Sequence, residues 1–175
     1  SLAFHHRYAM IKEKGGENML FELENYILDI DVERTRAFYG QAKAITDSCN
    51  CQGCRNYAAW AETLSEEPKY ILERMGVQLK KTPEVYVNCP NDDRTLFYGG
   101  FYHLCGRIVH GKEPWRQVAE DVRTFDENVF ISLAENYMVA FTQDIALLEK
   151  GFPTPVIQME IMANIPFVLP EKCDY

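Results

Sequence analysis

The segment CNCQGCRNY, Cys49 to Tyr57, places three cysteines within six positions. At C-x-C-x2-C spacing one short loop supplies three soft thiolates, and zinc accepts such sulfurs at about 2.3 Å in a tetrahedral shell. A fourth ligand has to come from elsewhere in the chain. His103 and Cys105 fall on one face of the same expected strand, about 7 Å apart from two strand rises. His103 is taken as the fourth member, giving the expected set Cys49, Cys51, Cys54 and His103. Cys89 and Cys173 are further sources of a ligand. The chain has no second C-x2-C or H-x3-H half, so the motif is half of a zinc signature.

Two other chemistries compete for the same residues. Cys51-Gln52-Gly53-Cys54 at the start of a helix resembles a redox pair, because free amides and the helix dipole stabilise a thiolate there. Thioredoxin-like pairs follow a buried strand, whereas this one follows a helix and leaves Cys49 surplus, which ranks the redox reading last. The third possibility is that the thiols are small core residues at a helix–helix corner, with Gly53 permitting the turn. Zinc leads narrowly over structural thiols.

Outside the cluster the usual catalytic patterns are missing: no G-x-S-x-G, H-E-x-x-H, P-loop or G-x-G-x-x-G occurs. Cys105 with His103 is a conceivable nucleophile and base, but alternate positions on one strand face are mostly packing. Glu22, Glu24, Asp29, Asp31 and Glu33 could hold a hard cation, although a solvated strand edge followed by a helix N-terminus accounts for them. Gln158 and Glu160 are read in the same way, as the solvated face of a strand. In Leu96-Phe97-Tyr98-Gly99-Gly100-Phe101-Tyr102-His103, aromatics on both faces imply that both sides of the strand are covered. The cover is core plus a self-associating surface, or a pocket at the glycine pair.

These residues need elements to position them. Phe21 to Asn25 alternates as an opening strand, and Asp31 can cap the helix that carries Thr35, Phe38, Ala42 and Ile45 on one face. The cysteines sit in the break after it. Helical periodicity resumes through Tyr57, Trp60, Ala61 and Leu64, then through Ile71, Leu72 and Met75, with Pro68 in a first turn and Gly76 as the stop. Beyond Pro83 the period becomes two: Val85 and Val87, a turn at residues 90–93, a long strand from Leu96 to Val109, a hairpin about Glu135-Asn136, and a last strand with Ile157, Met159, Ile161, Ala163 and Ile165 on one face. The expected fold is α+β, an N-terminal strand and helices packed on a mostly antiparallel β-sheet.

The 175 residues suffice for one domain with a core, at 47% hydrophobic content and a net charge of −8. That charge repels phosphate backbones and anionic lipid, so neither nucleic acid nor membrane is an expected partner. No apolar run approaches the ~20 residues of a membrane span, no signal-peptide pattern is read, and six cysteines then suit a reducing, cytoplasmic setting. The run Lys12 to Met19 back-translates to a purine-rich stretch with GGAGG ahead of ATG, as a bacterial ribosome-binding site would. Residues 1–18 are therefore expected to be a non-native leader or flexible tail, and residues 19–175 the single α+β domain.

Three ordered stretches, Cys49 to Tyr57, Tyr98 to His103 and Pro155 to Leu169, resemble a bacterial family of unknown function. It carries a C-x-C-x2-C-x-N-[YF] motif, a Y-G-G-[FW]-[YF]-H strand and a closing strand similar to PVIQMEIMANIPFVL. The resemblance covers Met19 to Glu171. It implies a bacterial cytosolic domain, implies no activity, and includes His103 in the shared pattern but not Cys105. The expected function is a binding or interaction module, more a non-enzyme than an enzyme, with a structural zinc at the cysteines. Its partner would be a protein or small molecule, with a homodimer as one form. A small enzyme with a pocket near Gly99, Gly100 and His103 is the alternative, and a partner of a basic toxin or phage component is a third class.

Overall fold

A computed structural model describes residues 10–13 and 18–175. Strand β1 (Met10–Glu13) pairs with β2 (Asn18–Leu23), which turns at Glu24-Asn25 into β3 (Tyr26–Asp31). The rest of the expected leader, residues 1–9 and 14–17, lies outside the described residues. Four helices follow: α1 (Val32–Gln41), α2 (Ile45–Ser48), α3 (Gln52–Ala61) and α4 (Glu66–Arg74). Six strands follow in turn, β4 (Glu84–Pro90), β5 (Thr95–His110), β6 (Trp115–Ala119), β7 (Val122–Phe125), β8 (Ile131–Ala134) and β9 (Tyr137–Thr142), and β10 (Val156–Pro166) closes the chain's sheet. The fold is α+β, with every strand pair antiparallel.

The helix boundaries follow local chemistry. The Asp31 carboxylate accepts from the Arg34 amide at 3.0 Å, capping α1 as its position before the periodic run predicts. The expected single helix through Ile45 instead breaks at Ala42, whose extended backbone ends α1. Ile45 then starts the short α2. Gly76 stops α4 with a φ of +86°, a conformation that favours glycine.

Strand β5 organises the sheet. One edge pairs with β10 from Thr95 to Cys105; the other pairs first with β4, from Leu96 to Phe101, and then with β3, from Gly106 to His110. The sheet runs β1-β2-β3-β5-β10-β9-β8, while β6 and β7 form a separate two-stranded ribbon. Tyr98, Tyr102 and Leu104 of β5 join Met159, Ile161 and Ile165 of β10 in the core with the helices. No helix among the described residues is long and apolar enough to cross a membrane.

The opposite face departs from expectation. Gln158 and Glu160 are not on a solvated face; they are 2% and 4% exposed. Alternation correctly separates them from the apolar side of β10, but the far side of the sheet is covered as well. Gln158 pairs with His103 and Glu160 with Phe101 in register, and Phe152 stacks near His103 at 5.6 Å. A buried polar face costs free energy unless it is internally bonded, and here Gln158 bonds to both His103 and Glu160.

Candidate metal centre

The loop between α2 and α3 is fixed residue by residue. The Cys49 amide donates to the Ile45 carbonyl at 2.8 Å and closes α2. Cys51 caps α3, its sulfur accepting from the Cys54 amide at 3.4 Å. Cys54 is buried one turn in, beside the Val85 carbonyl of β4. The three sulfurs consequently converge, all within 4.8 Å of one another.

The rest of the motif anchors that loop to the sheet. The Tyr98 hydroxyl donates to the Gly53 carbonyl at 2.9 Å. The buried Asn56 amide donates to Tyr98 Oη and to the Pro166 carbonyl, and its oxygen accepts from the Val168 amide at 2.8 Å. The Tyr57 hydroxyl lies 2.7 Å from that of Tyr102 and 3.2 Å from that of Tyr137. Since Tyr102 donates its one proton to the Leu79 carbonyl, Tyr57 must donate to Tyr102 and Tyr137 to Tyr57. Burial holds all three phenols well above their ordinary pKa. The N-Y pair of the motif thus orients α3, and through it the sulfurs.

The electrostatics divide the three thiols. The Cys51 backbone amide, followed by the neighbouring thiols of Cys51 and Cys54, donates to the Cys49 sulfur and holds its pKa below that of a free thiol. Burial pushes Cys54 up, and the adjacent sulfurs of Cys51 and Cys49 push further. Without metal, placing charge on the buried Cys54 sulfur beside the other two is therefore unfavourable. A divalent cation would reverse that penalty, because like charges that repel each other are all attracted to the ion. Tetrahedral zinc with ~2.3 Å bonds needs sulfurs about 3.8 Å apart. The observed convergence is within about an ångström of that requirement.

Of the four residues expected at a metal, the three cysteines come together and His103 stands apart. Tyr102 reaches α3 through its hydroxyl, so strand alternation turns its neighbour His103 to the other face of β5. There His103 Nε2 lies 3.0 Å from the Ala146 carbonyl and 3.1 Å from Gln158 Oε1. Gln158 is oriented by the Ala146 amide, which donates to its oxygen, and its own amide donates to Glu160 at 2.7 Å. Nε2 therefore faces two acceptors and carries the proton, while the buried Nδ1 has no partner among the described residues. Burial lowers the His103 pKa and raises that of Glu160. Cys105, also buried, belongs to the same strand and packs at α1, its amide bonded to Thr35 Oγ1. Cys89 is exposed near the end of β4.

The glycine pair of β5 is accounted for by close packing. A Cβ on Gly99 would meet the Tyr86 ring at 2.8 Å, and one on Gly100 the Glu84 carbonyl oxygen at 2.5 Å. The sequence reading missed Gln52 and Arg55, which hold the segment after β10 against α3. Gln52 Nε2 donates to the Lys172 carbonyl at 2.8 Å, its oxygen accepts from the Asp174 amide at 2.8 Å, and Arg55 pairs with Glu171 at 2.6 Å. Two exposed polar residues carry no sequence signal for such a distant contact. Comparison with protein-family profiles, curated proteins and solved structures finds no match to this chain.

Proposed function

We propose that the protein is a bacterial cytoplasmic binding or interaction module, non-enzymatic, whose Cys49, Cys51 and Cys54 hold a structural zinc ion. The observation that carries the reading is the convergence of three sulfurs within 4.8 Å on a loop whose backbone is already bonded in place. Bound there, zinc would tie α2, α3 and β4 together at one point and act as a local cross-link. The buried Asn56 and Tyr57, which fix α3 beneath the cluster, support a structural role.

The enzyme reading at Gly99, Gly100 and His103 gains less support, because the space beside both glycines is filled and His103 is fully buried. Metal analysis of protein purified without chelator tests the zinc reading. The expected result is close to one zinc per chain, lost in Cys51→Ser. Saturation at 100 to 1,000 times the dissociation constant stabilises by about 2.7–4.1 kcal/mol. For a chain of this size that corresponds to a melting temperature roughly 5–15 °C higher with metal than with chelator. Metal-free protein that melts at the same temperature with and without added zinc would remove the idea.

A further inference from the structure

Among the described residues no fourth ligand converges with the three sulfurs, and the segment after β10 is bonded to the start of the helix that carries Cys54. Val168 is bonded to Asn56, Glu171 to Arg55, and Lys172 and Asp174 to the two ends of the Gln52 amide. Cys173 is the residue held between those two bonds. It is half-buried against the core, and its sulfur is outside the converged group of three. Two residues on, the Tyr175 hydroxyl lies over Gly53, within 2.8 Å of where a Cβ would stand. Gln52 and Gly53 are the two residues between Cys51 and Cys54. The segment on both sides of Cys173 is therefore fastened to the stretch that separates two of the ligands.

We propose that Cys173 is the fourth ligand, and that metal binding locks the C-terminal segment 167–175 onto the start of α3. This rests on the zinc reading of the other three cysteines. The Cys173 sulfur must move to join the other three, and the bonds that hold the residues on either side of it are exposed ones. A fourth thiolate matches the softness of the other three better than the neighbouring Glu84 carboxylate does.

Cobalt substitution and thiol alkylation test this. Wild-type protein loaded with one equivalent of cobalt should show the visible bands of a tetrahedral four-sulfur site. Cys173→Ser should still bind cobalt, with thiolate-to-metal absorption lower by about a quarter, in proportion to ligand number, and affinity lower by about tenfold or more. In wild-type protein, zinc should slow alkylation of Cys173 at least about tenfold, a readout that needs no variant. If the Cys173→Ser spectrum equals that of wild type, or Cys173 is alkylated equally fast with and without zinc, the fourth ligand is another group and the proposal is overturned. Loss of cobalt in Cys51→Ser would then leave the three-cysteine site standing. Failure of wild-type protein to bind either metal would remove both.

Discussion

A Cβ on Gly53 would meet the Tyr175 hydroxyl at 2.8 Å and Val87 Cγ2 at 3.1 Å, whereas one on Gly100 would meet the Glu84 carbonyl oxygen at 2.5 Å. The first obstacle is the far end of a side chain in the terminal segment, and the second is the backbone of a paired strand. Gly53→Ala should consequently cost little, about 1 kcal/mol or less after the better helix propensity of alanine is counted. Its effect should be displacement of Tyr175. Gly100→Ala must push β4 from β5 and should cost about 3 kcal/mol, at the upper end of overpacking. Thermal melts of the two variants check the order; equal losses would contradict it. The cysteine spacing made the convergent trio legible in the sequence. His103 was not placeable, because alternation shows which residues of one strand share a face without showing which face meets α3.

Among the elements, α3 is held to the sheet by a directional hydroxyl chain from Tyr137 through Tyr57 to Tyr102 and the Leu79 carbonyl. Tyr57→Phe removes the middle link and strands the buried Tyr137 hydroxyl without an acceptor, at about 1–3 kcal/mol. Tyr137→Phe removes only the first donor and should cost about 1 kcal/mol. Denaturant unfolding of both checks this, and a larger loss in Tyr137→Phe would refute the assigned direction. The elements easiest to read were those with strong periodicity, such as β10 and the β8–β9 hairpin at Asn136. β3 was missed because Tyr26-Ile27-Leu28 gives an unbroken apolar run in place of alternation. The β6–β7 ribbon was missed because its residues are mostly exposed and their apolar and polar types do not alternate, so nothing in their pattern marks a buried side.

For the whole molecule, the buried His103–Gln158–Glu160 chain makes stability depend on pH with two opposing signs. His103 has its pKa lowered by burial from an ordinary value of 6.5, so its contribution is complete above 6.5 and is lost as pH falls toward the folded value. Glu160 has its pKa raised by burial from 4.5, so its contribution is complete below 4.5 and is lost as pH rises through the folded value. As pH falls from 7 to 5, the melting temperature of His103→Gln should therefore rise relative to that of wild type, and that of Glu160→Gln should fall relative to it. Melting curves at half-unit pH intervals measure this; three parallel profiles would show that neither group is linked to folding.

Strand β5 also sets a schedule for synthesis. It ends at His110, and the strand that covers one edge of it from Thr95 to Cys105 begins at Val156, 46 residues later. At 5–20 residues per second the ribosome needs roughly 2–9 s to make that interval. During this time Thr95 to Cys105 can pair only with β4, and the long aromatic strand keeps its other edge open. An open edge of that kind recruits other strands, so the seconds before β10 emerges are when the nascent chain most needs shielding from its neighbours.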